Sequence, residues 1–283
     1  MNSENLSNLI FTAIDTETSG AYPVGSEIIE YGAIKFNLHG EIARQSFLIK
    51  ASRPLTAESI AIHHITPEMI SQEPLMSARI REIADFLRGT HLLAHHAPFD
   101  LGFISFAIED NGLPALTEDA FCTSLLTRAL VPLPEVENHR LQTLAQYFHI
   151  PAGQAHRALD DASVCRHLFL QVVERLQKLH PDRPSTLQDL ISAQGRRLLW
   201  TDYRLQIGLY PWMKSLIEAC KLGAHFEIQY QKKTSESETR QIQPLGVVRN
   251  PDGDYCSAIC SRDGQKKRFY LTKIKDGQIL HVK

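Results

Sequence analysis

Residues 11–20 read FTAIDTETSG and set Asp15 and Glu17 two positions apart at the end of an apolar run. Side chains alternate along a strand, so both carboxylates face one way and Thr16 faces the other. Two ionised carboxylates beside a core repel each other and are costly to hold without a cation between them. Oxygen ligands of this kind suit hard ions, Mg²⁺ or Mn²⁺, better than zinc. Alone, the pair also fits a solvated strand end.

Two further acids point toward a metal. Asp100 opens a helical pattern whose apolar members, Phe103, Ile104 and Ala107, lie three, four and seven residues on. That spacing puts Asp100 on the buried stripe. Asp161 stands in the same relation to Cys165, Leu168 and Val172, whereas its neighbour Asp160 shares a face with Val164, His167 and Gln171. Asp161 is thus the inward acid, and Asp160 a helix-start charge favoured by the dipole. Buried aspartates need partners, and four acids converging on divalent cations is the economical account. His156, five residues ahead of Asp161, falls on the loop entering that helix. With an unperturbed pKa near ~6.5, an imidazole there can take a proton from water at neutral pH.

Hydrophobic period and turn residues supply the elements that must carry these groups. Strands are expected at 10–14, 27–37 and 45–51, with a hairpin turn at Leu38–Gly40. Helices are expected from Pro67, at 77–89, from Phe99 to about Asp110, across 140–148, and from Leu159 to Leu179. Two strand-then-element units, one at HLLAHH and one at AFCTSLLTRAL, complete an α/β pattern with a mixed sheet. Pro181 and Pro184 mark a seam, after which Ser185 and Gln188 read as a capping box. The domains expected are 1–180, a linker with a helix at 181–211, and a small β domain at 212–283. The last has four strand-like runs, at 225–233, 240–250, 254–262 and 266–274, with turns at 235–237 and 251–253.

The 283 residues are 43% hydrophobic and 22% charged, ordinary for a folded protein rather than a disordered one. The start has no basic and apolar leader pattern, and no apolar run reaches membrane-span length, so no membrane role is expected. Five scattered cysteines fit a reducing cytoplasm, and Cys256 and Cys260 read as core thiols. The net charge of −2 conceals an asymmetry. Residues 196–283 hold 16 Lys and Arg against 9 Asp and Glu, and residues 1–195 hold 14 against 23. An acidic body with a basic tail suggests a metal-using part joined to an anion-seeking one.

The stretches IDTETSG, AHHAPFD and HRALDDA resemble, in order and spacing, the three motifs of the DnaQ-like DEDD 3′–5′ exonucleases. The resemblance covers roughly residues 8–178. It implies an RNase H-like mixed sheet flanked by helices, and two Mg²⁺ or Mn²⁺ ions held by Asp15, Glu17, Asp100 and Asp161. His156 places the chain in the DEDDh branch, since the tyrosine branch would carry Tyr where Arg157 stands. The family likeness also places Ile62 and His63 near the terminal nucleotide, and Thr18, Ser19 and the Phe99 ring are further candidate contacts to it. Two positions depart from the family pattern: it usually reads His-Asn where this chain has His95-His96, and often Gly at His64. A zinc site built on His63, His64, His95 and His96 is disfavoured, because the matching family positions serve substrate and packing.

The tail from about residue 212 resembles a WYL domain, which implies an SH3-like β-barrel that senses nucleic acid or nucleotides. Tyr230, Arg240, Pro244, Tyr255, Arg262 and Arg268 carry over, and the run Lys266-Lys267-Arg268-Phe269-Tyr270 interleaves cations with rings as single-strand platforms do. The expected function is metal-dependent removal of nucleoside 5′-monophosphates from 3′ ends, of single-stranded DNA or RNA, with the tail binding nucleic acid. The alternatives are a nucleic-acid-sensing regulator or a non-catalytic polymerase-associated subunit; a polymerase or repair partner is left open, as is the oligomeric state.

Overall fold

The structure, a computed structural model, describes residues 4–205, 207–231, 237–249 and 253–280. A six-stranded mixed sheet of order β3-β2-β1-β4-β5-β6 forms the first body. Its strands are β1 (Phe11–Thr18), β2 (Ile28–Asn37), β3 (Gly40–Leu48), β4 (His91–Ala94), β5 (Asp119–Cys122) and β6 (Leu198–Leu199). β1 pairs antiparallel with β2 and parallel with β4, and β4 pairs parallel with β5. β1 runs four residues past the expected end at Ile14, so both acids of the first motif lie inside the ladder. β3 begins earlier than expected because Asn37 Oδ1 accepts from the His39 and Gly40 amides, at 2.9 and 3.0 Å, and tightens the hairpin.

Helices cover both faces. On one, α3 (Met76–Leu87) and α4 (Pro98–Asp110) bury Ile80, Ile83, Leu87, Leu101 and Ile104 against Ile14, Tyr31 and Leu92. On the other, α5 (Thr123–Leu130), α7 (Ala158–Leu179) and α8 (Leu187–Gln194) bury Leu126, Phe169, Val172 and Leu190 against Phe11, Ala13, Phe36 and Phe121. Short helices α1 (Ala57–His63), α2 (Pro67–Ile70) and α6 (Leu141–Tyr147) lie between these elements. Gly32 sits opposite Asp15 in the β1–β2 register. A Cβ there would run into the backbone of Ala158 and Leu159. The missing side chain lets the start of α7 rest on β2, beside the strand that carries the first two acids.

The stretch expected as a linker, 181–211, packs in this body as far as Tyr203, while Leu205, Ile207 and Tyr210 pack in the C-terminal core. α8 packs into the core of the first body, β6 pairs with β5, and Trp200 and Tyr203 are buried with α4. The capping box of α8 falls one residue later than expected: Thr186 is the N-cap, Asp189 closes the box, and Ser185 instead bonds Gln177.

The C-terminal region is an antiparallel sheet of order β10-β9-β8-β7-β11 with α9 (Met213–Leu222) packed on one face. Its strands are β7 (Phe226–Gln231), β8 (Ser237–Val248), β9 (Tyr255–Cys260), β10 (Lys266–Tyr270) and β11 (Ile274–Ile279). β11 is a fifth strand beyond the four expected. Its polar run Lys275, Asp276, Gln278 carries little apolar alternation, and pairing with β7 brings it into the sheet. No pairing joins β10 to β11 among the described residues, so the sheet is open where a closed barrel was expected. The turns expected at 235–237 and 251–253 fall outside the described residues but for Ser237 and Gly253. No helix among the described residues is long and apolar enough to cross a membrane.

The loop after β1 joins the two bodies. Val24 is buried in the C-terminal core and bridges Val247, while Arg53 donates to the carbonyls of Gly25 and Cys220, at 2.6 and 3.4 Å. Tyr22 lies on the sheet face away from α9. It occupies the space a side chain at Gly246 would need, and its hydroxyl receives a 3.0 Å hydrogen bond from Ser257.

Candidate active site

Asp15, Glu17, Asp100, His156 and Asp161 line one cleft of about 800 Å³, with Thr16, His95, His96, Phe99 and Arg140–Thr143 on its remaining walls. Three elements deliver the acids: β1 brings Asp15 and Glu17, the first turn of α4 brings Asp100, and the first turn of α7 brings Asp161. Asp100, Asp161 and Glu17 are 2%, 6% and 8% exposed. Among the described residues no Lys or Arg forms an ion pair with any of the four.

Burial without a counter-charge raises every one of these carboxyls. Asp15 is held well above the usual range by burial first, then by Asp100, Asp161 and Glu17. Burial and Asp161 push Glu17 up to about 8, and burial pushes Asp100 up to about 7. Asp161 is raised by burial, against hydrogen bonds from the His156 amide and Gln142. An arrangement that penalises its own ionisation is what a cation would relieve. Carboxylate oxygens suit a hard divalent ion, and ligand atoms of Glu17 and Asp161 lie within 4.8 Å of one another and of the His156 ring.

Neighbours that sequence spacing did not single out hold the acids in place. Thr16 does point to the opposite face, and from there its hydroxyl donates to Asp100 Oδ1 at 2.8 Å. Gln142, at the start of α6, donates to Asp161 Oδ1 at 3.0 Å. His156 has left-handed backbone, φ 60°, so its amide can donate to Asp161 Oδ2 at 2.9 Å. Its ring is 54% exposed, with Nδ1 3.9 Å from Glu17 Oε1. Arg157 anchors this loop by bonding the buried Glu30 at 2.9 and 3.0 Å, and Glu30 also accepts from the Ala158 amide. Residues on three separate elements meet here, which no local spacing could reveal.

Of the expected nucleotide contacts, Phe99 lines the cleft and is 38% exposed. Thr18, Ser19, Ile62 and His63 are not among the residues lining it. The Thr18 hydroxyl donates to the Gly20 carbonyl, and Ser19 Oγ accepts from the Glu27 amide, so both shape the turn after β1. Ile62 is exposed. His63 is buried, its Nδ1 accepting from the Ile65 amide. His95 spends both ring nitrogens on Thr123 and the His139 carbonyl, and burial draws it down to about 4, a structural role rather than a metal ligand's. His64 and His96, the two departures from the motif pattern, both have left-handed backbone, φ 59° and 68°. These are conformations that Gly and Asn adopt most readily.

A family model described as Exonuclease matches residues 12–169, more than half the chain. The chain belongs to this exonuclease family. A second model, the WYL domain, matches residues 211–279. The exonuclease is 36% identical over 166 residues to the DNA polymerase III subunit epsilon of Treponema pallidum, covering 59% of this chain and 77% of the relative. It is 33% identical over 164 residues to the PolC-type DNA polymerase III of Halalkalibacterium halodurans, covering 58% of this chain but only 11% of that much longer protein. Among solved structures, E. coli exonuclease I in complex with a dT13 oligonucleotide superposes with a TM-score of 0.56 at 15% identity, over 89% of this chain and 55% of the other. The nuclease domain of 3′hExo, a DEDDh family member bound to rAMP, gives 0.51 at 15% identity, over 66% and 98%. At these identities the superpositions establish the fold.

In the C-terminal sheet most of the expected contact residues have partners. Arg240 pairs with Glu238 and is 15% exposed at its side chain, Arg262 reaches the same carboxylate at 3.5 Å, and Lys267 pairs with Asp263. Arg268 stacks over Tyr255 at 4.8 Å, and Lys266 over Tyr22 at 5.2 Å. Tyr230 is half-buried against Phe269.

Proposed function

We propose that this exonuclease removes nucleoside 5′-monophosphates from the 3′ ends of single-stranded DNA or RNA, with Mg²⁺ or Mn²⁺ held by Asp15, Glu17, Asp100 and Asp161. The observation that carries the reading is four carboxylates in one cleft, three of them buried, with no Lys or Arg paired to them among the described residues. When bound, a pair of such ions supplies charge stabilisation to the attacking and departing oxygens of an in-line phosphodiester displacement. The chain's own residues do the rest. Thr16 and Gln142 fix the orientation of Asp100 and Asp161. His156 takes a proton from the attacking water, a contribution of roughly 10²–10⁴-fold. The water oxygen bonds to phosphorus as the bond to the 3′ oxygen breaks, and that oxygen leaves on the shortened strand and is protonated. Phe99 stacks on the terminal base. Ile62 and His63 stand outside the cleft, so any contact they make is with a nucleotide that extends beyond it.

The C-terminal domain adds a nucleic-acid contact centred on Lys266, Arg268 and Tyr255, with Arg240, Arg262, Lys267 and Tyr230 in supporting ion pairs and packing. A polymerase or repair assembly as partner is consistent with the similarity to a polymerase III subunit epsilon. One panel tests the reading: single-stranded DNA, duplex DNA and RNA, each with Mg²⁺, Mn²⁺ or a chelator. Mononucleotide release should require a metal and vanish in Asp15→Ala. Intact substrates under every condition, or identical cleavage by Asp15→Ala, would sink it.

A further inference from the structure

A polyanionic strand leading into the cleft crosses a part of the chain where acidic residues outnumber basic ones, 23 to 14. Something nearby must offset that repulsion. Seven arginines of the first body form ion pairs: Arg44 with Glu41, Arg53 with Glu27, Arg79 with Glu82, Arg157 with Glu30, Arg175 with Glu135, Arg183 with Asp189 and Arg197 with Asp119. Arg128 and Arg196 are exposed and form no ion pair among the described residues.

These two arginines line a second cavity of about 390 Å³, together with His96, Pro98, Phe99, Cys122, Ser124 and Leu125. His96 and Phe99 also line the acidic cleft, so the two hollows share one wall. Phe99 is the ridge between them. The basic side is held firmly. Arg128 projects from α5, and Arg196 follows the left-handed Gly195 that ends α8. The buried Gln194 accepts from the Cys122 amide at 2.6 Å and donates to the Arg196 carbonyl at 2.8 Å. β6 then pairs with β5, Leu198 opposite Ala120. Arg196 lies beyond residue 169, where the exonuclease family match ends.

We propose that Arg128 and Arg196 form a strand-guiding groove, which receives the phosphodiester backbone of the nucleotides preceding the terminal one. Guanidinium forks match phosphate oxygens in bidentate geometry, and exposed, unpaired ones have no carboxylate to give up first. The strand crosses the Phe99 ridge, leaving its last nucleotide on the acidic side and its earlier phosphates on the basic side. The proposal rests on the nuclease reading above for the identity of the strand.

Binding separates the two. Fluorescein-labelled dT12, dT6 and dT2 are titrated by anisotropy against Asp15→Asn protein, with and without Arg128→Ala and Arg196→Ala, over a range of NaCl concentrations. Removing both arginines should weaken dT12 binding about tenfold at low salt and reduce the slope of log K against log salt by about 1.4, the value for two phosphate contacts on a single strand. The loss should grow with strand length and be smallest for dT2. Arg→Lys at both positions should retain most of the slope. Separate Arg128→Gln and Arg196→Gln variants, each removing about half the effect, guard against misfolding of the double variant. An unchanged slope, or an equal loss at all three lengths, would overturn the groove. Failure of the wild-type protein to release mononucleotides with Mg²⁺ or Mn²⁺ sinks the hydrolase reading instead, and leaves the binding result standing.

Discussion

In the cleft, Asp15, Glu17, Asp100 and Asp161 crowd one cavity with no Lys or Arg paired to them among the described residues, whereas several cations of the C-terminal sheet have partners. There Arg240 and Arg262 share Glu238, Lys267 holds Asp263, Arg249 holds Asp254, and Arg268 and Lys266 lie over tyrosine rings. By sequence the two regions look like mirror images, one acidic and one basic. In the fold they differ in kind. The sheet pairs several of its cations with carboxylates, as surfaces do at little energetic cost. The cleft's carboxyls are costly to ionise in the fold, a cost that an incoming cation can offset.

Four measurements bear on that contrast. The largest effect concerns the acids. Asp15→Asn should cut activity by about 10²–10³-fold or more and at the same time raise the melting temperature of the metal-free protein. An ordinary surface acid would do neither, and calorimetry beside a nuclease assay reads both. Next is pH. Glu17, up to about 8, and Asp100, up to about 7, bind protons in the folded state above their unfolded values near ~4. Folded protein therefore holds more protons than unfolded across that window. Metal-free stability should be greatest near the lower end and fall as pH rises to about 8, and Mg²⁺ or Mn²⁺ should abolish the fall. A metal-free melting temperature that climbs from pH 5 to 8 would contradict this.

Smaller effects come from packing. Gly32→Ala should destabilise the fold by about 1–3 kcal/mol, since α7 has to move off β2, and denaturant titration will show whether it does. Activity should fall with it, because Asp161 rides on α7. Smallest is the contrast within the C-terminal sheet. Lys267→Ala, already paired with Asp263, should change single-strand affinity by less than about twofold. Lys266→Ala should change it more, and should also loosen Tyr22. Burial raises the Tyr22 phenol, but Lys266, Ser257 and Arg268 outweigh it and draw it below its usual range. A spectrophotometric titration of tyrosine absorbance follows that change directly.

Much of the site was legible because its acids sit on regular elements. Strand alternation put Asp15 and Glu17 together, and helical spacing chose Asp161 over Asp160. The latter instead accepts from the Gln154 amide and shapes the loop. What sequence could not show was mostly long-range. Thr16 meets Asp100 across 84 residues, and Gln142 meets Asp161 across 19. The segment 181–211 lacks a strong period of its own, yet Trp200, Tyr203 and β6 complete the first body once β5 offers an edge. The basic run at 266–270 promised an open platform, and the β1–β2 loop turned out to lay Tyr22 across part of it.

A divalent-cation cradle made of the four acids would exchange their protons for the metal. Isothermal titration of Mn²⁺ into the metal-free protein at pH 7.5, in two buffers of different ionisation enthalpy, tests it most directly. Saturable binding with net proton release, lost in Asp15→Asn, is the predicted result. Binding without proton release, or the same binding in Asp15→Asn, would contradict the account.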